Sequence, residues 1–147
     1  SEAKKYIGKY FKRYPGVQDY MENIRKQAAS RGFVETIYGR RLYLPEINSR
    51  NSNRRQAAER TAINAPMQGT AADIIKIAMI STDDWLCSDR LSSRITLQVH
   101  DELVLEVPDV EIDLVKAGLK HCMETAANLD IPLLVDVGVG SNWNEAH

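Results

Sequence analysis

Apolar residues recur at three- and four-residue spacing near the start of the chain. Tyr6, Ile7, Tyr10 and Phe11 share one face, which predicts a helix over residues 1–14 that Pro15-Gly16 stops. A second helix is expected over 17–30, closed by Arg31-Gly32 with glycine at the C-terminal stop position. Residues 33–38 and 41–44 flank Gly39-Arg40 and read as a short β-hairpin ahead of Pro45. From about Ser52 a run rich in helix formers continues to Pro66, which lacks a backbone donor and is expected to kink or end the helix. A further helical run over 71–86, with Ile74, Ile75, Ile77, Ala78 and Ile80, is apolar enough to be largely buried. The period then changes to two. Residues 94–99 and 103–107 predict a hairpin whose tip carries His100-Asp101-Glu102. An amphipathic helix over 110–128 and a last strand over 132–139 complete the pattern, with no repeat, low-complexity stretch or linker. Helices interleaved with antiparallel strands make the expected fold class α+β.

A length of 147 residues suits one domain, and 44% hydrophobic with 27% charged residues is the balance of an ordinary globular chain, which excludes collagen, a disordered tail and a mucin-like stalk. No run approaches the roughly 20 apolar residues that span a bilayer, and Ser1-Glu2-Ala3-Lys4-Lys5 lacks the apolar core of a secretory signal. The expectation is a cytoplasmic protein with no membrane partner. Its first residue is not Met, compatible with a processed start and equally with a piece of something longer. Cys87 and Cys122 stand far apart, with no Cys-x-x-Cys and no histidine at ligand spacing, so reduced thiols are expected rather than a disulfide or zinc site.

Charge is divided unevenly. Residues 1–60 hold 14 Lys or Arg against six Asp or Glu, while residues 61–147 hold five against 14, so a net charge of −1 conceals a basic half and an acidic half. The basic half suggests a polyanionic partner; the acidic half suggests metal ions, or solubility alone.

Three groups of residues could carry chemistry. Asp101 and Glu102, adjacent at the tip of an apolar hairpin, repel each other, a cost that a hard divalent cation with oxygen ligands such as Mg²⁺ relieves; they also suit a plain polar turn. His100 beside them could donate to a phosphate or nucleotide oxygen. Arg60, Asn64 and Gln68 recur every four residues, so on a helix they fall within a stripe of roughly 80° and reach along about 12 Å of axis, unless Pro66 tilts Gln68 away. All three carry donors, and every base pair presents acceptors in the minor groove, so such a row can test pair geometry without reading sequence; a solvated helix face looks the same. Finally Arg40, Arg41, Arg50, Arg54 and Arg55 crowd a loop-rich stretch interleaved with Tyr38 and Tyr43, as phosphate-contacting surfaces do. No phosphate-loop, nucleophile-elbow or dinucleotide fingerprint is present.

The run Val99-His100-Asp101-Glu102-Leu103-Val104-Leu105-Glu106-Val107 resembles motif C of the family A DNA polymerases. The stretch from Ala58-Glu59-Arg60-Thr61-Ala62-Ile63-Asn64-Ala65-Pro66-Met67-Gln68-Gly69-Thr70 to Asp73 is similar to the helix preceding that motif in bacterial members. Support comes from Arg13-Tyr14-Pro15-Gly16-Val17, Gly39-Arg40-Arg41-Leu42-Tyr43-Leu44-Pro45 and the ending Asn142-Trp143-Asn144-Glu145-Ala146-His147. The resemblance implies the C-terminal part of a right-hand polymerase fold with an antiparallel palm-type sheet and packed helices. Residues 1–80 would supply fingers and palm helices with the basic hairpin, and 81–147 the palm with motif C. It implies a DNA-directed DNA polymerase adding deoxynucleotides to a primer 3′ end by two-metal phosphoryl transfer, in replication and repair. By the same resemblance Asp101 is a catalytic metal-binding carboxylate and Glu102 an auxiliary one. Arg60, Asn64 and Gln68 would contact the minor-groove side of primer–template DNA, and His100 would lie close to the primer terminus.

One departure stands out. The family's other catalytic aspartate and the helix that binds the incoming dNTP lie upstream of anything in this chain, so the chain alone is expected not to polymerise and to need the rest of the polymerase chain. A partial sheet also leaves apolar surface uncovered, which suggests self-association. The rival from another class is a non-catalytic DNA-binding module. A metal phosphohydrolase using the His-Asp pair would need further histidines, and only His121 and His147 remain.

Overall fold

A computed structural model describes residues 2–146. The chain divides into two compact units, Ser1–Thr70 and Ala71–His147.

In the first unit, α1 (Glu2–Arg13) places its acidic residue in the first turn and Lys12 and Arg13 in the last, the arrangement that its dipole favours. Its apolar residues Tyr6, Ile7 and Tyr10 stay exposed. Pro15, whose missing donor costs nothing at a helix start, opens α2 (Pro15–Arg31). Gly32 ends α2 at φ 76°, a left-handed conformation that favours glycine, and donates to Ala28 O at 2.8 Å. β1 (Phe33–Glu35) pairs antiparallel with β2 (Arg41–Tyr43), Val34 opposite Leu42. The strands are shorter than expected because the intervening residues spend their hydrogen bonds on the turn. Thr36 N donates to Arg40 O at 3.0 Å, and Thr36 Oγ1 accepts from Arg40 N at 3.2 Å. The core is one cluster of Ala28, Val34, Leu44, Ile47, Ala58 and Ala62.

α3 (Ser52–Ser88) runs through Pro66 without a break, which corrects the expectation of two helices and of an end or kink that would tilt Gln68. Proline in a helix interior costs about 3 kcal/mol through one lost bond and a clash with the carbonyl four residues back. Packing on both sides of it outweighs that. Ala58, Ala62 and Ile63 are buried before the proline, and Ile75, Ala78, Thr82 and Leu86 after it. The Tyr20 hydroxyl also donates to Ile63 O at 2.9 Å, one turn from the proline, and burial raises the Tyr20 pKa, which keeps it a donor. Farther along, Gly69 passes so close to the hairpin turn that a Cβ would stand 2.7 Å from Thr36 Cγ2. The approach lets Arg40 Nη2 reach Gly69 O at 2.9 Å and Ile37 N reach Thr70 Oγ1 at 3.2 Å.

In the second unit α4 (Ile112–Glu124) buries Val115, Leu119 and Cys122, and it meets the end of α3 where Cys122 Sγ lies 3.9 Å from Ser81 O and Gly118 faces the Trp85 ring. β3 (Arg94–Val99) and β4 (Glu102–Glu106) pair antiparallel, with a bulge that leaves Thr96 unpaired between Ile95↔Leu105 and Leu97↔Val104. A 3-10 turn, Asp109–Glu111, precedes α4, which ends four residues short of the expected 128. The strand expected over 132–139 does not form: no ladder partner lies beside it among the described residues. The period-two pattern survives, with Leu133, Val135 and Val137 half-buried and Leu134, Asp136 and Gly138 exposed, but a strand needs a neighbour for its N–H and C=O groups. A short helix unforeseen in the sequence, α5 (Trp143–Ala146), follows. Glu145 accepts from Ser141 N at 3.1 Å, and Asn142 Oδ1 accepts from Glu145 N at 3.2 Å, a reciprocal cap.

Glu111 is the clip between the 3-10 turn and the start of β3. Its carboxylate accepts from Ser93 Oγ at 2.5 Å, Ser92 N at 2.9 Å and Ser93 N at 3.0 Å. The Ser93 hydroxyl first, then the Ser92 amide, hold its pKa below the ordinary 4.5. A carboxyl whose folded pKa is depressed stabilises the fold above its unfolded pKa and loses that contribution as pH falls through the folded value. Glu111→Gln is therefore expected to lower the melting temperature at pH 7, and the gap from the parent chain is expected to narrow below about pH 4.5. Melting curves across pH 3–7 check this; a gap that is constant with pH contradicts it.

Candidate functional site

The bend between β3 and β4 is tighter than the sequence suggests. Glu102 is not in the turn but is the first residue of β4, opposite Val99, so only His100 and Asp101 make the connection. A two-residue connection requires backbone conformations that most side chains resist, and His100 adopts φ 52° to meet it. Asp101 is thereby carried to the apex. It is exposed and makes no hydrogen bond or ion pair among the described residues, while Glu102 is half-buried.

Asp101 and Glu102 border a groove of about 610 Å³. One side is β4, including Leu103, Val104 and Leu105; the other is the unpaired stretch from Leu134 to Gly140, with Val115, Lys116 and Leu119 of α4 and Trp143 of α5 lining it too. Lys116 is a groove residue that the sequence reading missed, because nothing in α4's own pattern ties it to the hairpin. The groove is open to solvent, so the acidic bend is not sealed inside the unit.

Two adjacent carboxylates are hard oxygen donors of the type that Mg²⁺ takes. Among the described residues no group of three or more His, Cys, Asp or Glu is placed to hold a metal ion. The donor chemistry therefore fits such an ion, but the donor count does not complete a site without water, substrate or groups from elsewhere.

The first unit carries the other expected residues. Arg60, Asn64 and Gln68 lie on the single helix α3, all exposed and, among the described residues, without hydrogen bond or ion pair. The basic hairpin and loop are more committed. Arg41 Nε pairs with Glu35 at 2.9 Å, and Glu35 also takes Arg31 Nη2 at 2.8 Å. The two guanidiniums cover Phe33, 4.6 and 4.4 Å from its centroid. Hydrogen bonds from Arg41, then Arg31, hold the Glu35 pKa below its usual value, and the one with Glu35 raises that of Arg41. Arg54 stands 3.7 Å from Glu46. Arg55 donates to Ser49 O at 3.0 Å and lies 3.8 Å from Glu59. The side chains of the Arg54–Glu46 and Arg55–Glu59 pairs are partly to largely exposed, so these ion pairs are weak.

The family model for DNA polymerase family A matches residues 1–145, and the chain belongs to that family. Among its relatives are DNA polymerase I of Pseudomonas aeruginosa, 62% identical over 146 residues, and DNA polymerase I of Lactococcus lactis subsp. lactis, 53% identical over 145. Each match covers 99% of this chain but 16% of the relative. The POL domain of Pol1 from M. smegmatis, solved in complex with DNA primer-template and dNTP, superposes with a TM-score of 0.96 at 48% identity, covering 99% of this chain and 26% of that one. No helix among the described residues is long and apolar enough to cross a membrane.

Proposed function

We propose that this chain is the C-terminal segment of a cytoplasmic, DNA-directed DNA polymerase that adds deoxynucleotides to a primer 3′ end in replication and repair. The observation that carries the reading is the acidic bend: Asp101 stands exposed at the apex of a two-residue turn, on the border of an open groove, with its carboxylate unengaged among the described residues. The second unit would then serve as palm and the first as fingers and adjoining palm helices.

In nucleotidyl transfer the primer 3′ oxygen bonds to the α-phosphorus of the dNTP, the bond to pyrophosphate breaks, and the 3′ proton is lost. A pair of Mg²⁺ ions would polarise the attacking oxygen and neutralise charge on the phosphates. Asp101 would hold these ions with Glu102 as auxiliary, and His100 would lie beside the primer terminus. Arg60, Asn64 and Gln68 would direct donors at the minor-groove acceptors of primer–template DNA, which tests pair shape at the growing end. Arg40, Arg41, Arg54 and Arg55 would contact phosphates.

The shortage of acidic ligands has a place to be met. The groove lies between β4 and an unpaired stretch of alternating burial, a setting that suits a strand from the rest of the polymerase chain bringing a further carboxylate. In its absence, exposed Leu134 and Ile131, 87% and 76% accessible, favour self-association. The purified chain is expected to give no primer extension with Mg²⁺ and dNTPs, while the intact polymerase carrying the same segment extends. Extension by the chain alone would overturn the division of the site.

A further inference from the structure

We propose that Gln98 is a positioning residue: its carboxamide locks the peptide plane between His100 and Asp101, and so sets the direction in which Asp101 presents its carboxylate to a divalent cation. The inference rests on the reading of Asp101 as a metal-holding group. Gln98 Nε2 donates to His100 O at 2.6 Å. The acceptor is a carbonyl, so the nitrogen rather than the oxygen of the carboxamide must face it.

That carbonyl belongs to the central peptide of the two-residue turn. A central peptide can rotate as a unit, by opposite changes in the torsions on either side of it, while the flanking strands stay paired; primed hairpin turns differ from each other in this way. Rotation here would change φ of Asp101, and with it the rotamers open to its side chain, so that the carboxylate would no longer be held toward the groove mouth. His100 sits at φ 52°, where a residue with a side chain is not at ease, so the turn has little intrinsic preference to hold it. Gln98 is fixed in β3 by its pairing with Leu103, outside the turn, and can therefore act as a strut. It is exposed, so the strut is not part of the core.

The test uses the intact polymerase with Gln98→Met, which keeps length and removes the donor, and Gln98→Glu, which keeps shape and sets a carboxylate against the carbonyl. Both are expected to raise the Mg²⁺ concentration for half-maximal primer extension about 5- to 10-fold, the scale of one lost hydrogen bond, and to lower kcat. Primer–template Kd is expected to stay within about twofold, and the melting temperature to hold, because no buried group changes. An unchanged Mg²⁺ requirement in either variant overturns the proposal. So does a weakened Kd for DNA with unchanged Mg²⁺ dependence, which would make Gln98 a nucleic-acid contact. Asp101→Asn, assayed in parallel, separates the two levels. If it leaves extension intact, the underlying reading of Asp101 fails; if it abolishes extension while the Gln98 variants behave as the parent, the strut alone fails.

Discussion

Asp101→Asn, placed in the intact polymerase, is expected to lower kcat by on the order of 10³ while leaving primer–template binding within a few-fold. Asparagine matches aspartate in shape and keeps one oxygen, so the loss isolates the charge. In the folded chain Asp101 makes no hydrogen bond or ion pair among the described residues and is exposed at the turn, so nothing in the packing depends on it. Its contribution is therefore to be read in the rate and not in stability: kcat falls, and the melting temperature stays where it was. On the proposed reading, a carboxylate at this bend would serve by holding metal ions near the attacking and leaving oxygens, which is why its charge is expected to matter. Single-turnover extension at saturating DNA and dNTP measures the step, and a variant that retains more than about a tenth of the parent rate would contradict it.

Gly118→Ala is expected to destabilise the second unit by about 1–3 kcal/mol, against the sign that helix propensity alone assigns. Gly118 lies within α4, where alanine ordinarily improves a helix by about 1 kcal/mol. Here the Trp85 indole occupies the space that a Cβ would need, with Cζ3 at 2.8 Å and two further ring carbons nearer still. The ring cannot yield freely, because its Nε1 donates to Asp89 Oδ2 at 2.9 Å and it stands on a helix packed beside the buried Leu86. Either the indole leaves Asp89 or the two helices separate, and each route costs packing. Urea unfolding followed by tryptophan fluorescence measures the loss. The double variant Gly118→Ala with Trp85→Leu is expected to cost less than the sum of the singles, because the collision is shared. A Gly118→Ala chain as stable as the parent would show that the indole moves aside without cost.

The same contrast explains how much of the molecule was legible beforehand. α1, α2 and the β3–β4 hairpin follow from local period and stop signals: Gly32 ends α2 in the left-handed conformation that its type allows, and the change from helical to alternating period falls between α3 and β3. Pro66 misled for a physical reason. Its cost is local and visible, whereas the burial that overcomes it is distributed over Ala58, Ala62, Ile75, Ala78 and Leu86, each of which counts only when packed. The stretch 132–139 misled in the opposite sense. Its alternation is real, but a strand is a relation between two segments, and among the described residues no partner stands beside it. In the candidate site, the Asp101-Glu102 pair and the Arg60, Asn64, Gln68 spacing were visible as residue types in order. Gln98 was not, because its role depends on one hydrogen bond across a turn.

The sequence by itself determined α1, α2 and the two hairpins, the family resemblance and which residues carry charge or donors, since these depend on neighbours a few positions apart. Tertiary structure alone decided that α3 is one helix, that Glu102 belongs to a strand and leaves Asp101 at the apex, that Arg41 is bound to Glu35, and that a groove opens beside the acidic bend. Those outcomes arise from contacts between residues distant in the chain, where the energy of packing and pairing is settled by what each segment meets and not by what it contains.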